Sequence, residues 1–273
     1  MATFTFNKKT VFYTLDGNPK HDVILLLNGI MMSTKSWEPF VGALTKHHRL
    51  LRVDFFDQGQ SAKMDTDYTQ QIQVDLTREL LDHLNLDKVY VAGISYGGSV
   101  ALQFAAQHQD RIKKMILFNA VSKTSPWLKA IGDGWNQVAQ TRDGLAYYNV
   151  AIPLIYSPDF YTKKLDWMEN RKKVLIPVFS DPTFLDAMIR LTKSAESHDV
   201  NDALASIDVE TLVVASEHDY LTPPFEQQYI VDHLPKATLI TINDAGHASM
   251  YEKPELFTSL LIGFACEHPH YKI

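Results

Sequence analysis

The residues with the clearest chemical potential lie at positions 93–98, where the chain reads Gly-Ile-Ser-Tyr-Gly-Gly. An apolar run precedes this segment and a helical pattern follows it, which predicts a strand, an abrupt turn and a helix. A serine on such a strained turn needs neighbours without side chains, and the glycines meet that need. The first N–H groups and the positive dipole end of the helix would then face Ser95, where an oxyanion could form. Ser95 is therefore the candidate nucleophile.

The same glycines have one competing interpretation, a glycine-rich turn that binds phosphate or a dinucleotide. The dinucleotide-binding pattern is Gly-x-Gly-x-x-Gly, which needs a third residue without a side chain. That position holds Ser95 in this chain. The sequence therefore favours a nucleophile over a phosphate cradle.

Continuous apolar runs recur along the chain and indicate strands that are buried on both faces. Each is too short for a typical helix, and helical periodicity fills most intervals between them. The runs lie at 23–27, 50–55, 89–94, 115–118, 212–215 and 239–242. This alternation predicts an α/β fold with a doubly wound, mostly parallel central sheet. Two alternating segments at 4–6 and 11–14, separated by a short polar stretch, predict an N-terminal antiparallel hairpin.

One helix and one long insertion complete the predicted organisation. Residues 69–84 form the clearest helix, with apolar residues repeating on one face. The interval 122–208 has no comparable strand run, but it is rich in aromatic residues with helical spacing, and a structureless loop of that length would be improbable. We therefore expect an α/β core in two parts, 1–121 and 209–273, with a helical cap at 122–208.

Composition and charge argue against several partners. The hydrophobic fraction of 45% and the charged fraction of 21% are typical of a globular chain. The net charge is −6, and the short basic groups at 163–164 and 171–173 lie in amphipathic sequence, which indicates solvated helix faces. No nucleic-acid partner is expected.

The single cysteine and the N-terminal sequence predict the compartment. Cys266 cannot form an intrachain disulfide, which fits a reducing environment. The first residues lack a charged region followed by an apolar stretch, and no apolar run reaches the length of a membrane span. A cytoplasmic location is expected.

From these motifs the chain resembles the capped α/β-hydrolase family, over nearly its whole length. Four landmarks appear in the family's order: an oxyanion turn at 27–30, a loop at 54–61, the Ser95 turn, and the acid and histidine turns that follow. The resemblance implies esterase-like or lactonase-like members. Relatives with halide or epoxide chemistry place aspartate at the nucleophile position, where this chain has serine.

The resemblance also supplies the partners of Ser95. The segment 216–224 is similar to the family's acid turn and makes Asp219 the matched acid, with Glu217 as the neighbouring alternative. The segment 244–249 is similar to the histidine loop and makes His247 the general base. A histidine after the last strand can also reach the carboxyl edge of the sheet, where Ser95 is expected.

The oxyanion-hole donors implied by the resemblance are the backbone N–H groups of Ile30 and Tyr96. Two departures from the family's common pattern affect this region. Asn28 stands where many members have histidine, and the loop 54–61 lacks both the basic third residue and the first glycine of the usual motif. Because the donors are backbone groups, these departures are expected to change how the loops are held rather than to abolish catalysis.

The predicted function is that of a serine hydrolase acting on a small-molecule acyl substrate through an acyl-enzyme on Ser95. A pocket rich in methionine and tryptophan favours a fairly apolar ester, lactone or thioester, although simple core packing would explain the same residues. The candidate pocket residues are Met31, Met32, Trp127, Trp135 and Trp167. No clustered His-x-His-x-Asp-His spacing is present, so neither a metal nor another cofactor is expected.

Two other functions fit the same residues. The family uses the same triad to hydrolyse carbon–carbon bonds and for cofactor-free peroxidation. It also contains ligand-binding signalling proteins that keep the triad and turn over slowly. Very slow turnover of all simple esters would favour the signalling proteins over the enzymes.

Overall fold

A computed structural model describes residues 2–266 and contains one eight-stranded sheet. The sheet order is β1-β2-β4-β3-β5-β6-β7-β8. Antiparallel pairing joins β2 to β1 and to β4, and every later pair is parallel. The strands are β1 (Ala2–Phe6), β2 (Lys9–Asp16), β3 (Val23–Leu27), β4 (Arg49–Val53), β5 (Val89–Ile94), β6 (Ile112–Phe118), β7 (Thr211–Ser216) and β8 (Ala237–Ile242). The predicted fold class is confirmed.

Helices cover both faces of the sheet, which explains why the central strands are apolar at every position. Within β3, Leu25 and Leu27 enter one apolar cluster, whereas Ile24 and Leu26 enter the other, because successive side chains point to opposite faces. The helices are α1 (Glu38–Leu44), α2 (Gln71–His83), α3 (Tyr96–His108), α4 (Pro126–Gln140), α5 (Gly144–Ile155), α6 (Pro158–Lys163), α7 (Leu165–Phe179), α8 (Pro182–Ser194), α9 (Pro224–His233), α10 (Ser249–Glu252) and α11 (Pro254–Phe264).

The predicted N-terminal hairpin is present, and its turn has two residues. Asn7 and Lys8 have φ angles of 49° and 61°, and Lys9 already begins β2. Positive φ at both central residues is the geometry of the tight turn whose twist matches that of paired strands. Strand β4 also ends earlier than expected, at Val53, and the side chain of the next residue, Asp54, accepts a hydrogen bond from Thr34 N at 2.6 Å.

The strand order reverses at β3, which has β4 on one side and β5 on the other. In this register Leu27 pairs with Gly93, so the loops after β3 and β5 emerge side by side at the carboxyl edge. In open α/β sheets such a switch point is where ligands bind. The sheet thus brings the predicted oxyanion turn next to Ser95.

Five helices, α4 to α8, lie between β6 and β7, in the interval where a helical insertion was expected. Their largest buried side chains, including Tyr147, Tyr148 and Phe179, join the apolar cluster on one face of the sheet. The domain division at 121 and 209 stays a prediction, and Met1 and residues 267–273 lie outside the described residues. Across residues 2–266, no helix is long and apolar enough to cross a membrane.

Candidate active site

Ser95 occupies a strained position between β5 and α3. Its φ of 53° and ψ of −117° lie in a region that residues with a side chain rarely adopt. The turn is tight: a side chain on Gly93 would lie 2.5 Å from the Gly97 carbonyl oxygen, and one on Gly97 would overlap the Leu27 carbonyl. Glycine is therefore required on both sides of the serine.

The start of α3 leaves backbone donors next to Ser95. The first intrahelical hydrogen bond is donated by Gly98 N to the Ser95 carbonyl, at 2.8 Å, so the N–H of Tyr96 precedes the hydrogen-bonded ladder. Ile30 follows the paired end of β3, and both Ile30 and Ser95 line the same cavities. The two predicted oxyanion donors thus belong to the two loops that the sheet register brings together.

The structure brings Asp219 and His247 into direct contact, with 2.7 Å between Asp219 Oδ2 and His247 Nδ1. Asp219 is 2% exposed, and its Oδ1 accepts hydrogen bonds from the backbone N–H groups of Leu221 and Thr222 at 2.9 and 2.8 Å. A carboxylate so surrounded by donors acts as an acceptor, so His247 Nδ1 carries the proton. His247 Nε2 is then left with a lone pair, the form a general base requires.

The alternative acid, Glu217, lies on the other side of the same turn. Its carboxylate is exposed and accepts a hydrogen bond from Asp244 N at 3.0 Å. In the described chain it makes no hydrogen bond to His247. Asp219 is thus the carboxylate that holds the imidazole.

Asn119 and Thr222 hold these loops, and the sequence analysis did not single them out. Asn119 Nδ2 donates to the His247 carbonyl at 2.8 Å, while its Oδ1 accepts from Ser216 Oγ at 3.0 Å. The Thr222 hydroxyl lies 2.8 Å from Asp219 Oδ2 and 3.0 Å from the Asn119 carbonyl. A polar residue at the first position after β6 was the available signal for Asn119.

A buried carboxylate also supports the histidine loop from the side of the insertion. Glu252 Oε1 accepts hydrogen bonds from Ser157 N and Gly246 N at 2.9 and 3.1 Å, and Oε2 accepts from Ser157 Oγ at 2.6 Å. Glu252 is 9% exposed. The loop that carries His247 is thereby joined to the start of α6.

Asn28 uses both ends of its side chain to hold the loop after β3. Its Nδ2 donates to the Val53 carbonyl at 2.7 Å and to Gln58 Oε1 at 3.0 Å, and its Oδ1 accepts from Trp37 Nε1 at 2.7 Å. Gln58 Nε2 in turn donates to the Gly29 carbonyl at 2.9 Å. Asn28 and Gln58, a residue of the loop at 54–61, therefore belong to one buried hydrogen-bond network that also contacts the carbonyls of Gly29 and Ile30.

Ser95 lies between two cavities, of about 110 Å³ and about 80 Å³. Both are lined by Ile30, Ser95, Trp135 and Leu221, and His247 lines the first. Both linings are mainly apolar. Ser95 therefore faces two mainly apolar spaces.

The candidate pocket residues fall into two groups. Met31, Met32 and Trp135 line the first cavity, and the indole N–H of Trp135 is buried without a hydrogen-bond partner among the described residues. Trp127 is instead 58% exposed and donates to the Tyr220 carbonyl at 3.2 Å. Trp167 packs edge-on against Tyr156 outside the cavity lining. Aromatic content alone could not separate the lining residues from surface residues.

The first cavity also contains a charged residue that was not predicted from the sequence. Arg171, one of the basic residues interpreted as a solvated helix face, is half-buried and lines this cavity. Burial raises the pKa of the neighbouring Tyr156 to about 12, so its phenol is neutral at ordinary pH. The spacing of Arg171, Leu175 and Phe179, four residues apart along α7, was the signal that places Arg171 on an apolar face.

Among the described residues, one group could hold a cation: Glu217, His218 and Asp244, whose ligand atoms lie within 4.8 Å of one another. These side chains are exposed or half-exposed and belong to neither cavity. Exposed acidic groups commonly cluster without an ion.

Sequence and fold are both similar to those of known proteins. The family described as alpha/beta hydrolase fold matches residues 22–254. A crystal structure of MGS-M2, an alpha/beta hydrolase enzyme from a Medee basin deep-sea metagenome library, is 56% identical with a TM-score of 0.97, and the match covers 100% of both chains.

Two curated relatives are more distant in sequence. The protein named "Putative carbamate hydrolase RutD" of Caulobacter sp. (strain K31) is 29% identical over 93% of this chain and 95% of its own length. The 3-oxoadipate enol-lactonase 1 of Acinetobacter baylyi is 27% identical over 94% of this chain and 93% of its own length. The chain therefore matches whole relatives rather than a part of them.

Proposed function

Because the chain belongs to the alpha/beta hydrolase fold family, we propose that it is a serine hydrolase that cleaves a carboxylic ester, lactone or thioester through an acyl-enzyme on Ser95. The observation that carries the proposal is the cavity that Ser95 shares with His247, whose Nδ1 lies 2.7 Å from Asp219 Oδ2. The proposal includes a cytoplasmic location, consistent with the single cysteine.

In the proposed mechanism, His247 Nε2 takes the Ser95 proton as Ser95 Oγ attacks the substrate carbonyl. Asp219 holds the imidazole and stabilises its protonated form. The N–H groups of Ile30 and Tyr96 stabilise the tetrahedral oxyanion, each by about 3 kcal/mol. His247 then protonates the leaving group, and water attacks the acyl-enzyme with His247 again as base.

The test compares wild type, Ser95→Ala and Ser99→Ala on p-nitrophenyl butanoate. Ser99 is a buried serine in α3, the helix that follows Ser95, and lines only the second cavity, so Ser99→Ala controls for the loss of a hydroxyl. We expect kcat to fall by about 10³-fold or more in Ser95→Ala and to change little in Ser99→Ala. Equal rates for wild type and Ser95→Ala would overturn the proposal.

A fluorophosphonate probe tests the nucleophile without reference to a substrate. Mass spectrometry should locate the label on Ser95 in wild type and find none in Ser95→Ala. Activity should then be profiled on esters, lactones, thioesters and diketones, with carbamates and enol-lactones added because the relatives carry those names. Ser95-dependent cleavage of a diketone alone would favour carbon–carbon hydrolysis instead.

A further inference from the structure

Arg171 is a cation placed inside a mainly apolar cavity. Helix α7 turns Arg171, Leu175 and Phe179 toward the cavity that also contains Ser95 and His247. Apart from His247, Arg171 is the basic side chain in this lining. A positive charge in such surroundings is costly unless an anion compensates it.

Its contacts hold the guanidinium without neutralising it. Arg171 Nε donates to the Tyr156 hydroxyl at 3.1 Å. Its Cζ lies 4.7 Å from the ring centre of Tyr251 and 5.5 Å from that of Trp167. Aromatic faces and a neutral phenol orient a guanidinium and leave its charge in place.

No aspartate or glutamate oxygen of residues 2–266 lies within salt-bridge distance of Arg171. Of the six other arginines in the described residues, Arg49 has no carboxylate partner and the other five do: Arg52, Arg78, Arg111, Arg142 and Arg190. The buried carboxylate of Glu252, the residue after Tyr251, already accepts hydrogen bonds from Ser157 and Gly246. An anion for Arg171 must therefore come from outside this part of the chain.

We propose that Arg171 binds a carboxylate of the substrate, so that the hydrolysed compound is an ester or lactone with an apolar body and an anionic end. A planar guanidinium with its faces fixed suits a carboxylate, which it can bind through two parallel hydrogen bonds. A single guanidinium balances the one charge of a carboxylate but not both charges of a dianionic phosphate. This inference rests on the proposed hydrolase function and names its substrate class.

The kinetic test uses pairs of esters that differ in one charged end. Monomethyl succinate, glutarate and adipate are compared with methyl butanoate, pentanoate and hexanoate. A second series places the charge on the alcohol, as in 4-acetoxybutanoate against butyl acetate. We expect wild type to favour the anionic ester in at least one series, and Arg171→Met to lose about tenfold to hundredfold in kcat/KM for that ester alone.

Lys172→Met is the matched control, because it removes the same charge from the adjacent position of α7. Lys172 lies over the Tyr148 ring and not in the cavity lining. This variant should keep the preference for the anionic ester, and Arg171→Lys should keep part of it. An equal loss on neutral and anionic esters in Arg171→Met, or no preference in wild type, would overturn the inference.

A binding measurement separates this inference from the proposed hydrolysis. Calorimetric titration with glutarate and adipate should give at least one Kd that is about tenfold or more weaker for Arg171→Met than for Lys172→Met. If wild type hydrolyses none of the esters but binds the dicarboxylate through Arg171, the hydrolase proposal fails and the carboxylate site stands. Equal affinity in the two variants removes the carboxylate site whatever the turnover.

Discussion

The side-chain amide of Asn119 donates to the backbone carbonyl of His247 at 2.8 Å, across 128 positions of sequence. Asn119 follows β6 with a φ of 50°, and its backbone N–H is itself fixed to the Val214 carbonyl at 2.9 Å. Asn119 thus joins the loop that carries His247 to strands β6 and β7. Its position depends on a residue with no part in the proposed chemistry.

This relationship predicts that Asn119→Leu lowers kcat more than it raises KM. The change leaves the His247 carbonyl and the Ser216 hydroxyl buried without their partner and frees the histidine loop. We expect kcat to fall by about 10- to 100-fold, since small displacements of catalytic groups are costly. Steady-state kinetics on p-nitrophenyl butanoate measure the effect.

Ser216→Ala is the control for this prediction, because it removes the donor to the Asn119 amide oxygen and keeps the hydrogen bond to His247. Its kcat should stay within about threefold of wild type if the Asn119–His247 bond sets the loop position. A comparable loss of kcat in Ser216→Ala would contradict the assignment.

The Asn28 network predicts a stability effect with a specific chemical cause. Asn28→Ala leaves the Trp37 indole N–H without its acceptor and removes one of the two donors to Gln58 Oε1, at an expected cost of about 2–4 kcal/mol in the free energy of unfolding. Urea denaturation checks this value. Because Gln58 also contacts the Gly29 and Ile30 carbonyls, kcat should also fall.

Asn28→Asp tests whether folding stability needs the amide donor or only a polar side chain at this position. The aspartate keeps an acceptor for Trp37 but turns an oxygen toward the Val53 carbonyl and Gln58 Oε1. We therefore expect Asn28→Asp to be at least as destabilised as Asn28→Ala. A stability equal to wild type would show that the donated hydrogen bonds contribute little.

Local patterns explain what the sequence predicted well. The apolar runs predict the central strands because burial on both faces acts on consecutive residues, as in β3. The glycines at 93 and 97 mark the serine turn because their backbone contacts exclude any side chain. Both signals can be identified within a few positions of the chain.

The residues that the sequence did not predict act over long separations. Glu252 meets Ser157 across 95 positions, and nothing near Glu252 indicates that partner. Arg171 was interpreted as solvent-exposed because it adjoins two lysines, and only the packing of α7 shows which side of the helix meets the cavity. Hydrogen-bond partners and pocket lining depend on tertiary structure, which local pattern does not encode.

A buried ion pair joins the loop after β4 to helix α8. Replacing one of its partners is predicted to cost more stability than replacing the other. Arg190 donates through Nε and Nη2 to the two Asp57 oxygens at 3.0 and 2.6 Å, and the Asp57 side chain is fully buried. Arg190→Met leaves that carboxylate buried and unpaired, so we expect a loss of about 3–5 kcal/mol.

Asp57→Gly should cost less than Arg190→Met. Asp57 has a φ of 69°, a conformation that glycine adopts without strain, and the freed Arg190 side chain is already 15% exposed to water. The loss of the hydrogen bond that Met64 N donates to Asp57, at 3.0 Å, still makes the change unfavourable. We expect about 1–2 kcal/mol by urea denaturation, and the reverse order of the two variants would refute the argument.

Buried His198 predicts a loss of stability in acid. Its Nε2 bonds the Val121 carbonyl at 2.9 Å, and its Nδ1 is buried without a hydrogen-bond partner in residues 2–266. Burial lowers the pKa of His198 below the ordinary value of 6.5, because a proton on Nδ1 would place a charge where no acceptor compensates it.

The direction in which stability changes with pH follows from proton uptake by the unfolded chain. Above pH 7 the histidine is neutral in both states, so it adds no pH dependence. Below about 6.5 the unfolded state binds a proton that the folded state resists, and stability falls until the folded pKa is reached. The free energy of unfolding should therefore drop between pH 7 and pH 5, by at most about 1.4 kcal/mol per pH unit from this residue.

His198→Gln removes this titration and keeps an amide that can donate to Val121. Its free energy of unfolding should fall less steeply over the same pH range than that of wild type. The matched control is His233→Gln, which makes the same replacement at an exposed histidine of α9. If His198→Gln and wild type lose stability in parallel from pH 7 to pH 5, the acid sensitivity lies elsewhere, with buried His48 as the next group to replace because burial lowers its pKa as well.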